Sequence, residues 1–117
     1  MVTVNELVRE LLKRKVDVTL ELTEYGQLGY NVNTGAKSGL VLVEDTEQNW
    51  LMCFKRYDKD STVSLDKDME DVLYDLAVEV KDCMCYRDYV HSSWLDILVE
   101  FDLVALETQT THTIRFK

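Results

Sequence analysis

Val16-Asp17-Val18-Thr19-Leu20-Glu21-Leu22-Thr23 alternates apolar and polar residues without exception. A period of two places Val16, Val18, Leu20 and Leu22 on one side of an extended chain and Asp17, Thr19, Glu21 and Thr23 on the other, as in a strand with one buried face. Immediately before it the period changes. Val4, Leu7, Val8, Leu11 and Leu12 recur at three and four residues and form one apolar stripe of a helix. Thr3-Val4-Asn5-Glu6 has the form of a capping box, which satisfies free amides at a helix start. Lys13, Arg14 and Lys15 stand where the carbonyl end of that helix favours cations.

Beyond Thr23, the stretch 24–38 is rich in turn residues, although Leu28, Tyr30 and Val32 share one side and can extend a strand. Leu40 to Glu44 is a short apolar run suited to a strand buried on both faces. Asp45 to Asn49 has turn chemistry and Trp50 to Tyr57 resumes as a strand, which predicts a hairpin. After a polar connection, Met69, Val72, Leu73, Leu76, Val80 and Met84 follow a helical period and predict the longest helix. His91-Ser92-Ser93 offers a second helix cap, followed by Trp94, Ile97, Leu98 and Phe101 at helical spacing. Residues 94–106 also alternate as a strand would, so both readings stand there. The β-branched segment Thr108 to Phe116 suits a closing strand. Together these elements predict one α+β domain over residues 1–117, an antiparallel sheet of about four strands with an N-terminal helix and two later helices packed on it.

The chain has 117 residues, 46% of them hydrophobic and 30% charged, which suffices for one core and not for two ordinary domains. Three cysteines, an odd number, and no apolar leader at the N-terminus point to reduced thiols in a soluble cytoplasmic protein. No apolar run approaches the length of a membrane span.

Charge is distributed unevenly. Residues 58–102 hold thirteen acidic side chains against four basic ones, an excess of nine that equals the formal charge of −9 for the whole chain. Within the long helix, Asp68, Asp71, Asp75, Glu79 and Asp82 are spaced by three, four, four and three residues. At 100° per residue they fall within an arc of about 80° and extend roughly 21 Å along the axis. Like charges four apart repel, and the basic residue within this span, Lys81, points to another face. Tyr74 and Val78 flank the ridge as apolar neighbours. A solvated helix face is the ordinary explanation. The alternative is a docking ridge for a basic protein surface, its anion spacing close to that of a nucleic-acid backbone.

Other constellations are weaker. Asp58, Asp60 and Asp66 cluster oxygens for a divalent ion, but Val63 and Met69 occupy positions at which a calcium loop needs Gly and Glu. Cys83 and Cys85 lie about 200° apart on a helix and cannot share one tetrahedral zinc with His91 unless the segment unwinds. Gly35-Ala36-Lys37-Ser38-Gly39 lacks phosphate-loop spacing and precedes a strand. His91, Ser92, Ser93 and Asp96 have hydrolase residue types, yet capping explains them more simply. Trp50, Tyr57, Tyr86, Tyr89 and Trp94 read as core or core-edge aromatics, the last three also as a possible interface anchor.

The expectation is therefore a small, non-enzymatic, cytoplasmic binding module without a cofactor. Its partner would be a basic protein, such as a nuclease or other nucleic-acid-handling protein or a cationic toxin, held through Asp68, Asp71, Asp75, Glu79, Asp82, Tyr74 and Val78 in the manner of a nucleic-acid mimic or an immunity protein. Its size and charge suit an inhibitor in virus–host or toxin–immunity conflict. Direct nucleic-acid binding is disfavoured by the net charge, and no membrane partner is expected. The competing classes are a metal-dependent or hydrolytic small enzyme and a homo-oligomeric assembly subunit pairing through strand edges or the Trp94 region.

Overall fold

A computed structural model describes residues 1–23, 26–34, 40–55, 59–82, 92–106 and 114–116. The chain begins with helix α1 (Val4–Lys13) and continues through strands β1 (Val18–Leu22), β2 (Leu28–Val32), β3 (Leu40–Asp45), β4 (Trp50–Lys55) and β5 (Ser61–Ser64). Helices α2 (Met69–Asp82) and α3 (Ser92–Glu100) follow, then β6 (Val104–Leu106) and β7 (Ile114–Phe116). The first five strands form one antiparallel meander in the order β1-β2-β3-β4-β5, and β6 pairs with β7 in a separate two-stranded sheet. The architecture is α+β, with one strand more in the main sheet than expected.

Register explains the core. Val32 lies opposite Leu40, Leu42 opposite Cys53 and Leu51 opposite Val63, so these side chains share one face of the meander. They join Val4, Leu7 and Leu11 of α1, Val72, Leu73, Leu76, Ala77 and Val80 of α2, and Trp94, Ile97 and Leu98 of α3 in one buried cluster. The helices thus cover a single side of the sheet. On the other side Val43 is buried and Val41, Met52 and Phe54 are half-buried, so β3 is apolar on both faces as its sequence predicts.

Helix ends follow local chemistry. Thr3 caps α1, its Oγ1 accepting from the Glu6 amide at 3.1 Å. At the other end Lys15 takes a positive φ of 65°, while the Val16 amide donates to the Leu11 carbonyl and the Lys15 amide to that of Leu12. This is a Schellman motif, and Val16 and Leu11, the residues such a motif brings together, are both buried in the same core cluster. The same device ends α3: Asp102 has φ 60°, and Leu103 and Asp102 donate to the Leu98 and Val99 carbonyls. Residues 94–106 are accordingly helix to Glu100, a tight turn, and then strand.

Gly29 lies inside β2, not in a turn. A Cβ there would stand 2.9 Å from Val41 Cγ1, 3.1 Å from the Leu42 carbonyl oxygen and 3.1 Å from Val43 Cγ2. The missing side chain lets the valines of β3 lean across the adjoining strand. Gly29→Ala is expected to lower stability by about 1–3 kcal/mol through overpacking. Urea denaturation checks this, and a variant as stable as the parent would show that β3 relaxes freely.

The alternating segment around β1 departs from expectation in its burial. Val16 is buried and Val18 half-buried, but Leu20, Leu22 and Leu28 are 63%, 69% and 60% exposed. Their register, Leu22 opposite Leu28 and Leu20 opposite Tyr30, puts them on the core-facing side of the meander. The hairpin outruns the helices that cover the rest of that side.

Candidate functional site

Helix α2 starts where its sequence places it. Asp68 is the cap residue: its Oδ1 accepts from the Asp71 amide at 3.0 Å and its carbonyl from the Val72 amide at 3.0 Å. A carboxylate at this end also complements the helix dipole. Val72, Leu73, Leu76, Ala77 and Val80 turn into the core, and Asp68, Glu70, Asp71 and Asp82 remain exposed.

The ridge is not left without neutralisation, which corrects the reading from spacing alone. Asp75 accepts from Lys67 Nζ at 2.7 Å. The Lys67 ammonium is held above its usual range, first by that hydrogen bond and then by the charge of Asp75, with Asp71 adding to the effect. Glu79 is bound more deeply. Its Oε2 lies 2.5 Å from Lys55 Nζ and accepts from Ser61 Oγ at 2.6 Å, with the Lys55 side chain only 4% exposed and that of Glu79 17%. Of the five ridge acids, Asp68 caps the helix, Asp75 and Glu79 are paired, and Asp71 and Asp82 are exposed.

Helical phase explains the division. Glu79 follows Val72 by seven residues and therefore lies only about 20° from it around the axis. Val72 is fully buried, so Glu79 sits on the border of the core side, where strands meet the helix. Register does the rest. Lys55 pairs with Leu40 and Ser61 with Cys53, which places both polar side chains on the helix-facing side at the end of β4 and β5. Lys55 and Ser61 were not singled out from sequence. The available signal was the phase of Lys55 with Leu51 and Cys53, a cation where alternation calls for a buried residue.

The apolar neighbours also divide. Tyr74 is 42% exposed and meets Phe101 edge to face, with ring centroids 5.6 Å apart and planes at 86°. Val78 is half-buried against the core and offers less surface than the ridge reading assumes. A mixed strip of Asp71, Tyr74 and Asp82 remains, with Asp75 beside it already paired. At α1, Arg14 binds Glu10 at 3.1 Å and Glu100 at 2.6 Å, so one member of the basic triplet ties α1 to α3. The hydrogen bond to Glu100 is the leading reason that the Arg14 guanidinium holds its proton more firmly than usual.

The competing sites gain little geometry. Among the described residues no three His, Cys, Asp or Glu side chains converge to hold a metal ion. Asp60 accepts from the Lys55 amide at 3.3 Å, and Asp66 is exposed. Cys53 is buried in β4. Asp58, Cys83, Cys85, His91, His112 and the loop 35–39 lie outside the described residues, as do Tyr57, Tyr86 and Tyr89. Ser93 is buried and Asp96 exposed on α3. Trp94 is completely buried, the core aromatic its sequence suggests and not the alternative interface anchor. Trp50 is 43% exposed, on the sheet face away from the helices. No described helix is long and apolar enough to cross a membrane. Comparison with protein-family models, curated proteins and solved structures yields no match.

Proposed function

We propose that this protein is a non-enzymatic, cytoplasmic binding module whose α2 surface captures a basic protein, in the manner of an inhibitor or immunity protein. The observation that supports it is the exposed strip of Asp71, Tyr74 and Asp82 on α2, within the segment that carries the whole charge excess of the chain. An amphipathic aromatic between fixed anions supplies what a cationic partner needs, long-range attraction and a contact to desolvate. Exposed Asp68 and Glu70 extend the negative surface at the start of the helix. Asp75 and Glu79 contribute less than spacing implies, because their charge is already matched by Lys67 and Lys55.

Asp71 and Asp82 are thus the residues to reverse, since neither holds a side-chain ion pair among the described residues. The double variant Asp71→Lys/Asp82→Lys is expected to keep the fold and to lower capture of basic proteins from a lysate by about tenfold to a hundredfold at low salt. Its residual capture should depend less steeply on salt than that of the parent. The check is a pull-down at low and high ionic strength with circular dichroism as a folding control. Equal capture by parent and folded variant at low salt would rule the reading out.

A further inference from the structure

We propose that β1 pairs, antiparallel and about a two-fold axis at Leu20, with β1 of a second copy of this chain, joining two five-stranded sheets edge to edge. The inference goes beyond the α2 surface and does not depend on it.

β1 ends the sheet order, so among the described residues one of its edges has no neighbouring strand. The orientation of that edge can be deduced. The Asp17 carbonyl accepts from the Asn33 amide and the Thr23 amide donates to the Gln27 carbonyl, both toward the β2 side. Strand groups alternate, so Thr19 and Glu21 also face β2, and the amides and carbonyls of Val18, Leu20 and Leu22 point to the open edge. Edges of this kind are commonly blunted by Lys, Pro or a bulge. Residues 17–23 contain neither Lys nor Pro, and the register from Val18–Val32 to Leu22–Leu28 runs without interruption.

Overlap and charge together select the occupant and the register: a centre at Leu20 aligns the whole of Val18–Leu22 with itself. Two copies of β1 centred on Leu20 set Leu20 opposite Leu20 and Val18 opposite Leu22, all three through their outward-pointing backbone groups. On the other face the same register sets Glu21 opposite Thr19 and Asp17 opposite Thr23, so no carboxylate meets a carboxylate. A centre at residue 19 would oppose Glu21 and Asp17, and a centre at 21 would oppose Glu21 to itself. A slip of one residue would set leucine against glutamate. The self-complementary arrangement is isologous, as a closed dimer requires. It also brings together two exposed leucine clusters, Leu20, Leu22 and Leu28 of each copy, at the end of the core-facing side that the helices do not reach. The acidic helix packs on β5, four strands away and roughly 19 Å across the sheet, about two Debye lengths at physiological salt.

Sedimentation velocity of the full chain from about 1 to about 500 µM should show a reversible monomer–dimer equilibrium. Leu20→Lys should abolish the dimer while circular dichroism stays unchanged, because the side chain is exposed in the monomer. Thr19 tests the register without touching a leucine. Thr19→Glu should weaken association about tenfold by facing Glu21 of the second copy, and Thr19→Lys should strengthen it by a similar factor. A monomer across the whole range overturns the proposal, whether or not another protein binds the hairpin. So does a dimer indifferent to Leu20→Lys, or one that responds with the same sign to both Thr19 variants.

Discussion

Trp94→Ala is expected to lower the unfolding free energy by about 3–5 kcal/mol, a large share of the roughly 5–15 kcal/mol that holds an ordinary domain together. Trp94 is completely buried where α3 enters the core shared by α2 and the sheet, so its removal leaves a cavity lined by several elements. Its indole Nε1 has no hydrogen-bond partner among the described residues. A buried donor in that state costs about 1–3 kcal/mol of desolvation. Trp94→Phe removes the donor while keeping most of the apolar volume, and is expected to cost no more than about 1.5 kcal/mol. Denaturant unfolding of the three proteins, with slopes compared as well as midpoints, measures both effects. If the alanine variant lost less than about 1 kcal/mol, α3 would not be part of the cooperative core.

Lys55→Met is the second large effect, with an expected loss of about 3 kcal/mol. The lysine side chain is almost wholly covered, and its loss leaves the Glu79 carboxylate with the Ser61 hydroxyl as its donor among the described residues, in a site that water reaches poorly. The penalty arises from a stranded charge and not from a strong bond. Replacing both residues, Lys55→Met with Glu79→Leu, should therefore recover most of the stability and return it to within about 1 kcal/mol of the parent. Chemical denaturation of the four members of this cycle measures the coupling. A single Lys55→Met variant as stable as the parent would mean that the pair is screened by solvent and that Glu79 is available to the acidic surface after all.

The Lys55 test and the Asp71→Lys/Asp82→Lys test bear on one another. A pair that proves strong confines the usable charge of α2 to its exposed side, where Asp71, Tyr74 and Asp82 lie. The proposed β1 dimer would carry two such surfaces, one on each copy. The Thr19→Glu and Thr19→Lys variants both leave α2 untouched, so the outcome for one surface does not decide the other.

Local order was legible in the chain because it depends on neighbours in sequence. The Thr3 cap, the stripe of α1, the alternation of β1 and the core positions of α2 all follow from periods of two and 3.6 and from side chains that bind nearby amides. The α+β class followed from the order of those periods. The end of α3 did not, because its left-handed stop is an aspartate, Asp102, and not the glycine that usually marks one. A period says which side chains share a face, not whether anything covers it. Leu20 and Leu22 kept phase with Val18 yet remain open, since the helices do not reach the end of the hairpin. Glu79 kept phase with Asp75 yet turned inward, since the sheet register delivers Lys55 and Ser61 beneath it. Those outcomes belong to tertiary structure, because burial and ion pairing depend on segments that meet only after the chain has folded.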